Sequence, residues 1–267
     1  MTRLRQYLEK IQSNMGINHD QFLRNLPDKY RLQANLLFQT QLISSKPKRW
    51  IVKCSDEIFD ELWELSGKPK NRIQASKQGD SHDCHVTANL LMVYHQGLTT
   101  RCPSVVYVSA HDFIQTFQSK PRLLLIENEE NFIRYTDFCG VVSELMNQPI
   151  SLINTDVALG GGNRATSKLL INWYSNYSEI LCAFDYDLGG LKMFKTLKKD
   201  LSKKVIFVQP KQYSKLFKHF KNKPKSTKHL FEAIDLAKEL GFTELGEAFY
   251  ETRHFLEQEI LLEENNV

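Results

Sequence analysis

Short runs of consecutive apolar residues alternate with amphipathic segments through the second half of the chain. The runs SVVYVS, RLLLIE, PISLIN, EILCAF and KKVIFV are too short for helices and rich in β-branched residues, so each predicts a strand. Apolar residues three or four apart predict helices at 111–117, 129–146, 164–177, 188–201, 227–240 and 243–263. Such alternation is typical of a central parallel sheet covered on both faces. Residues 101–267 are therefore predicted to form an α/β domain that ends in two helices.

The first 100 residues show a different, mainly helical pattern. Apolar residues at helical spacing predict a helix at 28–43, and residues 50–54 predict a short strand. Ser55 is the expected N-cap of a further helix. Residues 68–83 are polar and basic, which indicates an exposed loop or hairpin. Residues 1–100 are therefore predicted to form a helical, winged-helix-like domain that contacts DNA.

Composition is typical of a globular cytoplasmic protein. Charged residues make up 25% of the chain, and no apolar run reaches the ~20 residues that cross a bilayer, so no membrane segment is expected. The five cysteines are scattered without a CxxC pair, which argues against a disulfide framework and against structural zinc. The sequence HDCH at 82–85 matches no standard zinc-ligand spacing and is interpreted as a loop.

Charge is strongly segregated along the chain, although the net charge is only +4. Between Lys192 and Lys228 there are 13 lysines and one acidic residue, whereas residues 231–264 contain 10 acids and two bases. A basic surface of this kind suits nucleic acid, although a solvated lysine-rich helix face explains it about as well. The lysines selected as DNA-binding candidates are Lys192, Lys215, Lys218 and Lys221.

Three carboxylates come directly after predicted strands. Glu127 ends the run 123–126, and Asp185 and Asp187 follow the run 180–184. Ligands of open parallel sheets bind at the carboxyl ends of the strands, and residues two apart at a strand end project to one side. Carboxylates that converge without basic neighbours need a cation or a proton, and oxygen donors favour Mg²⁺ or Mn²⁺ over zinc. An aspartate pair can instead cap a helix, but the ordered combination with Glu127 favours a metal site.

The segments LLIENEENF, GGGNRATSKLL and FDYDLGGLKMF resemble successive motifs of the TOPRIM domain, which carries a glutamate after one strand and a DxD pair after a later one. The resemblance covers residues 123–262. It is strongest to the branch that contains the topoisomerase VI A subunit and the Wadjet nuclease subunit JetD, and RHFLEQEILL is similar to the JetD-like ending. The resemblance implies a Rossmann-like TOPRIM fold in which Glu127, Asp185 and Asp187 are catalytic and bind Mg²⁺ (or Mn²⁺).

A glycine-rich loop precedes the predicted helix that begins at Arg164. Its backbone amides could cradle a phosphate that pairs with Arg164, although a plain turn fits the sequence equally well. The resemblance favours phosphate binding, because the topoisomerase branch has a basic residue at this place. The loop residues are Gly160, Gly161, Gly162 and Asn163.

Two glutamates near the end of the chain, Glu257 and Glu259, are predicted to lie in the last helix. Residues two apart in a helix point in different directions, so at most one of them serves the metal site. The resemblance places a metal-ligating glutamate at Glu259. A solvated acidic helix is the alternative.

The resemblance implies a metal-dependent DNA endonuclease in which an activated water attacks the scissile phosphate. By the same resemblance the protein would be a homodimer that acts in defence against plasmids or phage, beside an SMC-like motor complex. A second hypothesis keeps the metal site but uses a tyrosine nucleophile, for which Tyr30 and Tyr94 are the candidates. A third is a non-catalytic DNA-binding subunit, which the three intact carboxylates disfavour.

Overall fold

A computed structural model describes residues 3–67, 72–77, 86–201 and 204–263. The chain divides into two compact units, Met1–Val86 and Thr87–Val267. The division falls before the expected residue 100 because the segment that follows it contributes a strand to the large sheet of the second unit. No helix in the described ranges is long and apolar enough to cross a membrane.

The first unit combines short helices with one antiparallel hairpin. Its core contains Leu8, Phe22 and Leu62, all fully buried. Ser55 caps a helix as expected, since its side chain accepts a hydrogen bond from the N–H of Ile58. The elements are α1 (Arg3–Gln12), α2 (His19–Arg24), α3 (Asp28–Arg31), α4 (Ala34–Leu37), β1 (Gln39–Ser45), β2 (Lys48–Lys53), α5 (Asp56–Leu65) and α6 (Arg72–Lys77).

The structure of residues 28–45 and 72–77 differs from the sequence prediction. The single helix predicted at 28–43 is wrong, because residues 39–45 form β1 and pair with β2. Leu32 and Leu36 are more than 80% exposed, so the apolar spacing does not mark one buried helix face. For residues 39–45, pairing with a partner strand overrides the local pattern. Of the loop or hairpin predicted at 68–83, the described part is the helix α6; the HDCH sequence lies outside the described residues.

The second unit is built on a seven-stranded sheet in the order β5-β4-β3-β7-β6-β8-β9. The strands β7, β6, β8 and β9 are parallel, whereas β3 and β4 pair antiparallel with their neighbours. The α/β class is confirmed, but the sheet is mixed rather than wholly parallel. The strands are β3 (Ala88–Tyr94), β4 (Ser104–Ser109), β5 (Phe113–Ile114), β6 (Arg122–Ile126), β7 (Thr155–Leu159), β8 (Glu179–Ala183) and β9 (Val205–Phe207).

Burial explains why the two halves of the sheet differ. In β6, β7 and β8 nearly every residue is buried, as in a sheet covered on both faces. In β4, Val106 and Val108 are fully buried while Val105 and Tyr107 are exposed, so one face of this half is open. The run at 111–117 contributes the short strand β5 instead of the predicted helix, and hydrogen bonds to β4 hold it in place.

The helices that flank the sheet agree with the sequence at 188–201 and 227–240 and, with a break at Arg134, at 129–146. The strand predicted within PISLIN lies later, in the residues TDVAL of β7. The helix predicted at 164–177 is instead two 3-10 turns and a short α-helix, and the last helix ends at Thr252 because Arg253 adopts a left-handed conformation. The helices are α7 (Glu129–Ile133), α8 (Tyr135–Met146), α9 (Ile171–Tyr174), α10 (Leu188–Leu201), α11 (Thr227–Glu239) and α12 (Thr243–Thr252).

Candidate functional site

Glu127 and Asp185 lie side by side at the carboxyl ends of two neighbouring parallel strands. The pairing of β6 with β8 aligns Ile126 with Ala183, and the N–H of Glu127 donates to the carbonyl of Ala183 (2.9 Å), which extends the ladder by one residue. The N–H of Asp185 then donates to Oε2 of Glu127 (3.1 Å). The structure therefore brings together the two segments that were predicted to meet at this edge of the sheet.

Asp187 occupies the turn into α10. Its Oδ1 accepts a hydrogen bond from the N–H of Gly190 (2.7 Å), so it caps the helix as well as facing the strand ends. Gly190 is packed against the carbonyl oxygen of Asp185, which leaves no room for a Cβ atom. The tight turn thus holds Asp187 close to Asp185. Of the two carboxylate oxygens of Asp187, Oδ1 caps the helix, as the alternative interpretation of the aspartate pair predicts.

The segment that follows α12 docks against the DxD turn and brings Glu259 to the site. Tyr186 and Leu256 exchange two backbone hydrogen bonds (3.0 and 3.2 Å), and the N–H of Gln258 donates to Oδ1 of Asp185 (2.9 Å). Glu257 and Glu259 do not lie in a long α-helix as predicted, because the chain is extended up to a 3-10 turn at Gln258–Leu262. Oε2 of Glu259 is buried and has no hydrogen-bond partner in the described ranges.

The carboxylates oppose one another electrostatically. Burial, followed by the charges of Glu127, Glu259 and Asp187, raises the pKa of Asp185 to about 7, although the hydrogen bond from the N–H of Gln258 lowers it. Burial also raises the pKa of Glu127, with further contributions from Asp187 and Glu259 against the opposing N–H of Asp185. The pKa of Glu259 is raised by burial and then by neighbouring glutamates. This group of acids needs a bound cation or a proton to offset its charge.

The donor set fits Mg²⁺ or Mn²⁺ in its chemistry. All four candidate ligands are carboxylates, which these hard cations prefer, and Oε2 of Glu259 is buried without a partner among the residues described. Within the described ranges, however, no three acidic, histidine or cysteine side chains stand close enough to enclose a metal ion in this conformation. One oxygen of each of Glu127, Asp185 and Asp187 instead accepts a backbone N–H. A metal ion at this site would therefore require the carboxylates to rotate inward.

The glycine-rich loop lies at the same edge of the sheet. It follows β7, and the N–H of Gly160 donates to the carbonyl of Ile126 beside Glu127 (2.7 Å). Gly161 adopts a left-handed conformation (φ 60°), and the guanidinium of Arg164 folds against it where a Cβ would stand. The loop leads into a short 3-10 turn instead of the predicted α-helix, so it lacks the dipole of a long helix. Like Gly161, Gly162 has a left-handed conformation, while Asn163 and Arg164 are exposed to solvent.

The candidate lysines fall into two groups. Lys192 on α10 forms an ion pair with Glu232 on α11 (2.6 Å), so its charge is locally neutralised. Lys215 and Lys218 lie in the 3-10 helix Tyr213–His219, and Lys221 follows it. Lys221 shares with Glu259 the lining of a cleft of about 450 Å³. Of the candidate lysines, Lys221 at the end of the segment 215–221 is therefore the one that the structure places beside a carboxylate of the site.

Two residues of the site were not selected from the sequence. Nδ2 of Asn128 donates to Oδ1 of Asp185 (3.0 Å), and Gln258 supplies the second donor to the same oxygen. Asn128 directly follows Glu127, so its position in the sequence is sufficient to predict that it lies at the site. Gln258 is 73 residues from Asp185 and becomes a neighbour only through the docked segment after α12.

Comparisons with known proteins assign no family. No protein-family model and no curated protein matches this chain. Its function must therefore be inferred from the arrangement of the carboxylates, the glycine-rich loop and the lysines around them.

Proposed function

We propose that this protein is a metal-dependent DNA endonuclease of the TOPRIM type. The observation that carries the proposal is the direct contact between Glu127 and Asp185 at the carboxyl ends of β6 and β8. Together with Asp187 and Glu259 they form a group of four acids. The pKa values of Glu127, Asp185 and Glu259 are all raised, as is common at functional sites.

The four carboxylates would hold Mg²⁺ or Mn²⁺. A bound divalent cation supplies charge that stabilises the scissile phosphate and the leaving oxygen. Asn128 and the N–H of Gln258 fix Oδ1 of Asp185, which leaves its second oxygen to turn toward a ligand. Arg164 and the amides of the glycine-rich loop, which follows the neighbouring strand β7, would bind a phosphate beside the scissile bond.

The lysines of the segment 215–221 would hold the DNA backbone. Lysine contacts to phosphates give affinity without sequence preference, so we propose a nuclease that accepts many sequences. From the resemblance to the JetD-like branch we propose that two copies act together, one on each strand, beside an SMC-like motor complex in defence against plasmids or phage.

Cleavage of supercoiled plasmid by the full chain tests the proposal. We expect nicked or linear product with Mg²⁺ or Mn²⁺ and none with a chelator. Glu127→Gln and Asp185→Asn should each lower the rate by roughly 100-fold or more, since each removes a carboxylate that would hold the cation at the reacting phosphate. Glu144→Gln is the matched control, because Glu144 is exposed on α8. A wild-type protein that binds the plasmid but cuts it with neither metal would support the non-catalytic DNA-binding subunit instead.

A further inference from the structure

A polar cleft of about 540 Å³ lies between α1 and α2 in the first unit, and the carboxylate site makes no use of it. The described residues that line it are all polar, and three of them are cationic. None of those lining residues is acidic or aliphatic. The side chains that define its polarity are Arg3, Gln6, Lys10, Gln21, Arg24 and Asn25, and Tyr7, whose hydroxyl donates to Gln21 (2.9 Å), completes the lining.

The helical spacing explains how these side chains come to share one surface. Arg3, Gln6 and Lys10 stand at positions i, i+3 and i+7 of α1, which places them along one stripe of the helix. Leu4 and Leu8, which are buried, anchor the other side of α1 in the core. On α2 the stripe is Gln21 and Arg24, continued by the C-cap residue Asn25, and Phe22 faces the core. Two amphipathic helices thus turn their polar stripes toward a common groove.

No ion pair within the described part of the chain occupies the three cations of the cleft. Arg3, Lys10 and Arg24 form no ion pair with any residue in the described ranges. Asp20 stands one turn before Arg24 on α2 without pairing with it. By contrast Arg5, on another side of α1, stacks its guanidinium on Trp63 of α5 (3.2 Å to the ring centroid).

Most acidic residues in the described part of this unit lie on α5, whereas α1 carries Glu9 and α2 carries Asp20. The helix α5 carries five of them and packs against the side of α1 where Arg5 meets Trp63. Residues two apart on a helix point to nearly opposite sides, so Arg3 faces away from the direction that Arg5 takes toward α5. The unit therefore presents a positive groove on one side and an acidic helix on another. The acidic residues are Asp56, Glu57, Asp60, Glu61 and Glu64.

We propose that this cleft binds the phosphate backbone of duplex DNA and provides a second DNA contact, on a different unit from the carboxylate site. Cationic and amide donors around a groove without acids match phosphate oxygens. Arg3 and Lys10 are seven residues apart, which is roughly 10 Å along the helix. That span exceeds one phosphate and fits a strand whose charges rise about 3.4 Å apart. Among the described residues of the lining, none has an aliphatic side chain that could enter a lipid surface.

Binding of a short labelled duplex by the full chain tests this proposal, with chelator present so that no cleavage occurs. The variant Arg3→Gln/Lys10→Gln/Arg24→Gln should lower affinity at moderate salt. It should also flatten the slope of log affinity against log salt by about 2.7, since each phosphate that the protein neutralises contributes about 0.9. The control Lys29→Gln/Arg31→Gln/Arg134→Gln removes three charges that are each ion-paired within the chain, and it should leave the slope nearly unchanged.

Other outcomes would overturn the proposal. Equal slopes for the two triple variants would show that the cleft makes no special contact. If the triple variant loses binding to phosphatidylserine–phosphatidylcholine vesicles but binds DNA as the wild type does, the cleft binds a lipid surface. If millimolar inorganic phosphate displaces all of the labelled duplex, the cleft binds a single phosphate.

The fold of each variant is checked by circular dichroism. If the triple variant fails to fold, Arg3→Gln and Arg24→Gln should each reduce the slope by about 0.9. Because binding is measured without metal, a protein that cuts no DNA could still bind it through the cleft. Equally, a cleft that binds no DNA would leave the cleavage result unchanged.

Discussion

The backbone N–H of Asp185 donates a 3.1 Å hydrogen bond to Oε2 of Glu127, which ties the carboxylate of Glu127 to the neighbouring parallel strand that carries Asp185. Asp185 also receives hydrogen bonds from Asn128 and Gln258 on its Oδ1. These bonds hold the two acids together although their charges repel. The metal-free protein therefore carries an electrostatic cost at this edge of the sheet, and that cost should depend on pH.

Asp185 should make the metal-free protein less stable as pH rises. Its pKa is raised from 3.8 to about 7 in the folded state, so the folded chain keeps a proton that the unfolded chain releases in this window. The stability that this proton provides is fully present below about pH 4 and is lost as pH rises through about 7. Asp185→Asn should remove this loss and stabilise the protein at pH 8 by on the order of 2 kcal/mol. Urea unfolding at pH 5 and pH 8 with chelator measures it.

Asp235→Asn provides the matched control, because Asp235 is exposed on α11 and should leave the pH dependence as in the wild type. Adding Mg²⁺ at pH 8 should raise the wild-type melting temperature, since a ligand that binds only the folded state stabilises it. The same addition should shift Asp185→Asn much less. A variant that loses stability at pH 8 would contradict the assignment of repulsion to Asp185.

Gly190 and Gly140 should respond in opposite ways to alanine. A Cβ on Gly190 would collide with the carbonyl of Asp185, and backbone atoms cannot yield cheaply, so Gly190→Ala should destabilise the protein by about 1–3 kcal/mol. Gly140 is exposed on α8 with open space around it, so Gly140→Ala should stabilise the protein by about 0.5–1 kcal/mol. Chemical denaturation of both variants gives the comparison. Similar values for the two would mean that the DxD turn is looser than its packing indicates.

The carboxylate edge was predictable because two independent rules converge on it. Runs of apolar residues such as 123–126 and 180–184 must lie in strands covered on both faces, and side chains just beyond parallel strands meet at one edge. Neither rule depends on distant contacts. The positions of Glu127 and Asp185 therefore follow from the local sequence, and so does the start of α10 at the turn that contains Gly190.

Other elements depend on partners that are distant in sequence. The strand β7 contains Asp156, and a charged residue of this kind is untypical of a buried strand, so the local sequence does not indicate β7. Asp156 is fully buried because the N–H of Lys120 (2.9 Å) and the hydroxyl of Tyr177 (3.1 Å) donate to it. The segment after α12 is extended because Leu256 pairs with Tyr186, 70 residues earlier. Periodicity cannot reveal such pairings, which is why the sequence predicts a last helix that is too long.

The lysines of the segment 215–221, of which Lys221 lines the cleft with Glu259, should contribute more to DNA binding than those on α10. Lys215→Gln/Lys221→Gln should lower affinity for unrelated duplexes alike and flatten the salt slope by about 1.8, at about 0.9 per neutralised phosphate. Lys192→Gln/Lys195→Gln removes the same charge, but both lysines are ion-paired with glutamates of α11, so the slope should change by less than one unit. Fluorescence anisotropy titrations at several salt concentrations distinguish them. A larger change in salt slope for Lys192→Gln/Lys195→Gln would show that DNA contacts α10 instead.

Products of cleavage should carry free ends, because neither candidate tyrosine is placed to act as a nucleophile. Tyr94 is buried, its ring stacks on Tyr135 at 4.2 Å, and burial raises the pKa of its hydroxyl. Tyr30 is also buried and donates to Glu61; burial, followed by this hydrogen bond, raises its pKa to about 12. A phenol that attacks a phosphate must lose its proton, so both environments oppose the reaction.

Tyr30→Phe and Tyr94→Phe should therefore cleave plasmid within about threefold of the wild-type rate, because a structural hydroxyl contributes only about 1 kcal/mol to stability and nothing to the chemical step. Detergent should release all labelled DNA from the protein, with or without protease. The tyrosine mechanism makes the opposite statement, since the attacking oxygen would stay bonded to one DNA end. Labelled DNA that migrates with the protein until protease is added would indicate a covalent bond to the protein. If this protein-bound label is lost in one of the two variants, the tyrosine changed in that variant, and not water, is the nucleophile.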